Sequence, residues 1–192
     1  MVDAVRYSSA SGEYGTPPEI FDPVRDALSL NFDAAASHEN YKLPHYATVD
    51  GTFKHHFSTP SRVTVNDGLT APWKGLRVWL NPPYGRGIGA WVQKCAHERN
   101  RAQVIAVLLP ARTDTDWFHR WVAPFAEVTF LMGRIRFEGT PSSAPFPSIV
   151  AVYSPDIHVA PGDILARRWD PKTGPFESAI LQQSLRSVHH RP

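Results

Sequence analysis

The sequence predicts an α/β sandwich on a mainly parallel sheet, closed by an antiparallel edge near residues 148–153. Two apolar runs point to buried strands: residues 76–80, ended by Asn81-Pro82-Pro83, and the continuous run 104–109, stopped by Pro110. Trp91, Val92, Cys95 and Ala96, and later Trp117, Phe118, Trp121 and Val122, recur at helical spacing. Strands and helices therefore alternate between residues 77 and 122, the pattern of parallel strands joined by helical crossovers.

The 192 residues suit one domain with a substantial core, since 42% of them are hydrophobic. A net charge of +2 permits nucleic-acid binding without arguing for it, and a mixed, solvated surface fits as well. One cysteine, Cys95, excludes an intramolecular disulfide and a multi-cysteine metal site. His45, His55 and His56 have neither cysteines nor a His-Glu-x-x-His pattern beside them, so no metal is expected. No apolar run is long enough to span a bilayer and no signal-peptide pattern opens the chain, so the expectation is a cytoplasmic protein.

Taken in order, residues 1–12 read as a flexible lead-in, 13–154 as the folded domain and 155–192 as an extension. Thr16-Pro17-Pro18-Glu19 reads as a helix start, with Thr16 as N-cap and Glu19 completing a capping box. Ile20, Phe21, Val24 and Leu28 continue at helical spacing. Residues 30–33 form a short strand-like run, and the small residues Ala34, Ala35, Ala36 and Ser37 after it would let a backbone approach a ligand. Residues 40–72 are polar, aromatic and irregular, with a turn at Asn66-Asp67-Gly68. A cationic loop with Arg86 precedes a helix over 90–100, and polar residues including Arg112 gather behind the 104–109 run. Residues 127–132 and 148–153 are two further strands, separated by a proline- and serine-rich loop. The extension carries Arg167, Arg168 and Lys172, candidates for contact with a phosphate backbone.

Asn81-Pro82-Pro83-Tyr84-Gly85 follows the first apolar run directly. The prolines lack a backbone donor, so the strand ends there and leaves an amide and a ring at its carboxyl end. Open α/β sheets bind ligands at that end. An exocyclic amine on an aromatic base is a poor nucleophile, because its lone pair is delocalised into the ring. Two acceptors against its hydrogens, the Asn81 side-chain oxygen and the Pro82 carbonyl, favour a more tetrahedral nitrogen with an available lone pair. Pro82 and Pro83 restrict the turn so that both acceptors face inward, and Tyr84 would stack on the base. No proton need leave before attack, so positioning and electrostatics suffice without a strong base. The motif points to methylation of an exocyclic amino group and leaves the acceptor molecule open; the plain alternative is a strand-ending turn with a surface tyrosine.

Between about residues 13 and 153 the chain resembles the phage-type DNA N6-adenine methyltransferases. The landmarks are Tyr14-Gly15-Thr16-Pro17-Pro18-Glu19-Ile20-Phe21, Phe32-Asp33-Ala34-Ala35-Ala36-Ser37, Asn40-Tyr41-Lys42-Leu43-Pro44, Val78-Trp79-Leu80-Asn81-Pro82-Pro83-Tyr84-Gly85, Leu109-Pro110-Ala111-Arg112-Thr113-Asp114-Thr115 and Ala144-Pro145-Phe146-Pro147-Ser148. The resemblance implies a Rossmann-like, S-adenosylmethionine-dependent fold acting on double-stranded DNA with base flipping. It implies Asn81, Pro82, Pro83 and Tyr84 as catalytic residues. Tyr14, Thr16 and Pro17 would lie against the methionine part of the cofactor, Asp33 and Ala34 in its first binding loop, Asp67 at its adenine and Asp50 at its ribose. Arg86, Arg112 and Phe146 are the matching substrate-side candidates. Ala35 and Ala36 stand where such loops often carry glycine, and no separate target-recognition domain is evident. Residues 54–62 or the C-terminal segment would then read DNA, unless sequence preference is loose. Methylation of RNA or of a protein glutamine, and a catalytically degenerate DNA-binding scaffold, are the alternative readings.

Overall fold

A computed structural model describes residues 14–37, 40–48, 53–54 and 67–181, the pair 53–54 as backbone only. The chain runs α1 (Pro18–Leu28), β1 (Phe32–Ala36), β2 (Tyr46–Thr48), β3 (Phe53–Lys54), β4 (Arg77–Leu80), α2 (Ile88–Glu98), β5 (Val104–Pro110), a π-helical turn (Phe118–Val122), β6 (Glu127–Leu131), β7 (Ser148–Tyr153) and β8 (Leu165–Trp169). The strands form one sheet in the order β3-β2-β1-β4-β5-β7-β6-β8. Six strands run one way, while β3 and β7 run against their neighbours. This is a Rossmann-like arrangement, mostly parallel, with an antiparallel edge at β3.

Residues 148–153 are antiparallel as expected, but they are not the edge. β7 is inserted between β5 and β6 and is buried along its whole length. That explains its unbroken run Ile149, Val150, Ala151, Val152 and Tyr153, because both faces are covered.

The central strands alternate sides strictly. Val78, Leu80, Ile105, Val107 and Leu109 pack with Trp91, Val92 and Cys95 of α2 and with Phe118 and Val122 of the π-helical turn. Trp79, Val104, Ala106 and Leu108 pack with Ile20, Phe21, Val24 and Leu28 of α1. At about 25 cal/mol per Å² of apolar surface, these two cores supply most of what opposes chain entropy.

Four local expectations change. Thr16 is not the cap of α1: Pro17 occupies that position, with no side-chain cap, and Thr16 is buried and turned to another partner. The strand near residue 32 reaches Ala36, so the alanines expected in a loop belong to β1. Residues 40–72 hold two short strands, β2 and β3, rather than irregular chain alone. The expected helix around Trp117 is wound as a π turn, with Ala123 N–H donating to the Phe118 carbonyl at 2.9 Å.

The segment after residue 155 joins the sheet. β8 pairs with β6, and Trp169 stacks edge-on to Phe176 at 5.2 Å. Glu127, fully buried on β6, accepts from Arg167 Nε, from Ser178 Oγ and from the Ala179 N–H at 2.8 Å. Arg167 is thereby committed to a carboxylate, while Arg168 is exposed.

Candidate active site

β1 and β4 lie side by side at the sheet's switch point, because the chain passes from β1 outward to β2 and β3 before crossing to β4. Their carboxyl ends open into a cleft lined by Tyr14, Thr16, Asp33, Ala35, Ser37, Asn40, Lys42, Trp79, Asn81, Pro82 and Pro83. This is where such sheets hold ligands. Six of the residues singled out from the sequence meet here: Tyr14, Thr16, Asp33, Asn81, Pro82 and Pro83.

Asn81 is held from one side. Its Nδ2 donates to the Tyr14 carbonyl at 2.6 Å and to Thr16 Oγ1 at 3.1 Å. With both amide protons directed that way, the oxygen is the atom left over. Asn81 Oδ1 is buried and accepts no hydrogen bond among the described residues. Four other buried side-chain polar atoms share that condition, on Trp73, Glu98, Thr129 and Ser148, and none of those residues lines the cleft. A buried acceptor without a donor costs about 1–3 kcal/mol, and because the residue that carries this one lines a cleft, it suits a donor that arrives with a ligand.

Asp33 lines the cleft from the neighbouring strand β1. Its carboxylate accepts from the Lys42 N–H at 2.9 Å and from the Ala35 N–H at 3.3 Å. Burial pushes its pKa up from 3.8 to about 6, against the pull of those two N–H groups and of the Lys42 charge. Lys42 Nζ pairs with Glu138 at 2.6 Å, and Glu138 N–H in turn donates to the Gly15 carbonyl at 2.8 Å. A Cβ on Gly15 would stand 2.6 Å from Glu138 Oε2 and 2.9 Å from Glu138 Cβ, so the segment Tyr14-Gly15-Thr16, a strap beside Asn81, passes Glu138 too closely for a larger residue.

The strand conformation of β1 explains which small residues reach the cleft. Asp33, Ala35 and Ser37 alternate onto it, as period-two geometry requires. Ala34 points the other way, is fully buried in the core beneath α2 and is not part of the cleft lining. Pro17 is likewise buried, as the cap of α1.

Tyr84 does not line the cleft. Its ring packs against Tyr14 at 5.6 Å, Phe146 at 5.7 Å and Phe137 at 6.0 Å. Its hydroxyl donates to the Leu108 carbonyl at 3.3 Å, and burial raises the phenol well above its usual range. Phe146 therefore sits beside Tyr84, within one aromatic group. Arg86 and Arg112 are exposed on the loops following β4 and β5, at the same end of the sheet as the cleft.

Asp67 also stays outside the cleft. Its carboxylate accepts from the Thr70 N–H at 2.9 Å, the turn role its Asn66-Asp67-Gly68 context allowed. The neighbouring Gly68 lies so close to β1 that a Cβ there would be 1.7 Å from the Ala34 carbonyl oxygen. Asp50 and most of residues 54–62 lie outside the described residues.

Sequence reasoning left Lys42, Asn40, Ser37 and Glu138 without roles. Asn40 and Lys42 were already visible within a landmark segment. Glu138 gave no signal, because its partner is 96 positions away. Among the described residues no group of three or more His, Cys, Asp or Glu could hold a metal ion, and no helix is long and apolar enough to cross a membrane.

Comparison with known proteins agrees with this geometry. A protein of Haemophilus phage HP1 (strain HP1c1) described as a DNA N-6-adenine-methyltransferase is 25% identical over 118 residues, or 62% of this chain and 61% of the relative. The chain thus spans about three-fifths of the length of that curated relative. The profile of the family described as DNA N-6-adenine-methyltransferase (Dam) matches residues 7–148, a stretch that contains the cleft and the aromatic group beside it. With nearly three-quarters of its length matched, this chain belongs to the DNA N-6-adenine-methyltransferase (Dam) family.

Proposed function

We propose that this protein transfers a methyl group from S-adenosylmethionine to the N6 amino group of adenine in double-stranded DNA. The observation that carries the reading is the buried, donorless Oδ1 of Asn81 at the rim of a polar cleft. An exocyclic amine brings the N–H that this oxygen lacks.

The cleft suits the methyl donor by its chemistry. Asp33 offers a carboxylate to hydroxyl or amino groups, Lys42 a cation to a carboxylate, and Ser37 and Asn40 further polar partners. When bound, S-adenosylmethionine supplies an electrophilic methyl group on a sulfonium centre. The protein's own part is to present and orient the amine. Asn81 Oδ1 accepts one amine hydrogen and the Pro82 carbonyl the other, which draws the nitrogen toward tetrahedral geometry. The carbonyl of Pro82 accepts no other hydrogen bond among the described residues. Catalysis then rests on positioning and fixed dipoles.

A base in the duplex cannot reach Asn81, so the adenine flips out of the stack. The aromatic group of Tyr14, Tyr84, Phe137 and Phe146 adjoins the cleft, since Tyr14 belongs to both. Tyr84 and Phe146 then offer the base ring faces. Arg86 and Arg112, exposed beside the opening, neutralise phosphates.

Parallel reactions with labelled S-adenosylmethionine and unmethylated DNA, RNA or protein test this reading. Label should enter DNA and be recovered as N6-methyladenine. Transfer confined to RNA or to protein glutamine would contradict it.

A further inference from the structure

The Asn81 amide is symmetric in shape but not in chemistry. Rotated by half a turn it would offer N–H groups to the incoming amine, which has only hydrogens to donate there. Catalysis as proposed above therefore depends on something that fixes which end of the amide faces the cleft. The two acceptors on Nδ2 perform that selection, and both come from the strap formed by Tyr14, Gly15 and Thr16.

We infer that Thr16 is a positioning residue, which together with the Tyr14 carbonyl locks the Asn81 side chain with its oxygen toward the substrate. Thr16 is almost wholly buried, at 1% exposure, and does not cap α1 although its place in the sequence invites that role. Its hydroxyl instead accepts from Asn81 at 3.1 Å, across 65 positions of sequence. The strap is itself pinned, because the Gly15 carbonyl accepts from the Glu138 N–H at 2.8 Å and Glu138 is paired with Lys42. The same geometry explains why the motif here begins with asparagine. An ionised aspartate at position 81 would turn an oxygen toward the Tyr14 carbonyl at 2.6 Å, acceptor against acceptor.

This inference rests on the methyltransferase reading for its kinetic consequence but not for its structural one, so the test has two arms. In the first, Thr16→Val keeps the side chain's shape and removes the acceptor, while Thr16→Ser keeps the acceptor. At saturating S-adenosylmethionine, Thr16→Val should lower kcat on DNA roughly tenfold, the worth of one well-placed hydrogen bond. KM for the donor should change little, and Thr16→Ser should recover most of the rate. An unchanged kcat with a raised KM for the donor would make Thr16 only a cofactor contact and overturn the inference. In the second arm, NMR of the Asn81 side-chain amide in ligand-free protein should show two distinct, slowly exchanging protons in the parent and in Thr16→Ser. Thr16→Val should shift one of them and speed its exchange. Identical amide signals in all three proteins would overturn the inference whether or not DNA is methylated. Failure of the parent to methylate any DNA, with the amide signals behaving as expected, would count against the proposed function alone.

Discussion

Two side chains with buried oxygens, one at the start of β6 and one at the end of β4, are treated in opposite ways. Glu127 on β6 is fully buried and accepts from Arg167, Ser178 and Ala179, which ties β8 and the following turn to the sheet. Asn81 at the end of β4 spends its donors on the strap and leaves its oxygen with nothing to accept. A satisfied buried charge holds the architecture together, because removing any partner leaves the others desolvated and unpaired. An unsatisfied acceptor costs the fold something and is tolerated where a ligand later completes it. The two sites therefore fail differently when mutated.

The largest contrast is expected at Asn81. Asn81→Ala should lower the methylation rate on the order of 10³-fold while S-adenosylmethionine still binds, as calorimetry can establish. Its melting temperature should stay close to the parent's, since the substitution also removes the orphaned oxygen. Glu127→Ala should show the reverse. Loss of the carboxylate removes the acceptor that Arg167, Ser178 and the Ala179 N–H share and should cost about 3–5 kcal/mol, lowering Tm by roughly 10 °C. Activity per folded molecule, measured well below that Tm, should be unchanged. If Glu127→Ala lost activity without losing stability, the division between the two sites would be wrong.

Smaller effects sharpen the picture near the cleft. Gly68→Ala forces a Cβ to within 1.7 Å of the Ala34 carbonyl, so either β1 or the 67–70 turn must move. The expected cost is about 1–3 kcal/mol in denaturant unfolding, with weaker donor binding because β1 carries Asp33. Asp33 itself gives a pH signature. Its folded pKa of about 6 lies above the ordinary 3.8, so the native state keeps a proton that the unfolded chain has lost between about pH 4 and 6. The corresponding stability is present below pH 4 and is lost as pH rises through 6. Asp33→Asn should flatten that slope and be the more stable protein at pH 8. Donor affinity should run the other way, falling in the parent as pH drops below about 6 and losing that dependence in the variant. The smallest effects belong to Arg86→Ala and Arg112→Ala, each of which should weaken DNA binding modestly and lower the salt dependence by about one phosphate contact.

The parts of the fold that could be read in the sequence are those where burial is one-dimensional. β5 and β7 are continuous apolar runs because both faces are covered, and α2 shows its inward stripe in Trp91, Val92, Cys95 and Ala96. β1 extends beyond the strand-like run at residues 30–33 because its neighbours β2 and β4 hold Ala34, Ala35 and Ala36 in strand conformation, although alanine itself has little strand preference. β8 was hidden because its outward positions are occupied by residues such as Arg168 while its core contacts are only Trp169 and the partly buried Leu165. At the site, Asn81, Pro82 and Pro83 announce themselves because prolines stop a strand. The residues that orient them do not, since Thr16 and Glu138 act on partners 65 and 96 positions away and leave no local pattern.

The central claim, that the open end of Asn81 receives an adenine amino group, is tested most directly by mass spectrometry of DNA. Unmethylated DNA would be incubated with S-adenosylmethionine and either the parent protein or Asn81→Ala, then digested and its nucleosides quantified. N6-methyladenine should accumulate with the parent and be nearly absent with the variant, although both proteins bind the donor. Equal accumulation with both proteins, or none with a parent that binds the donor and DNA, would contradict the account.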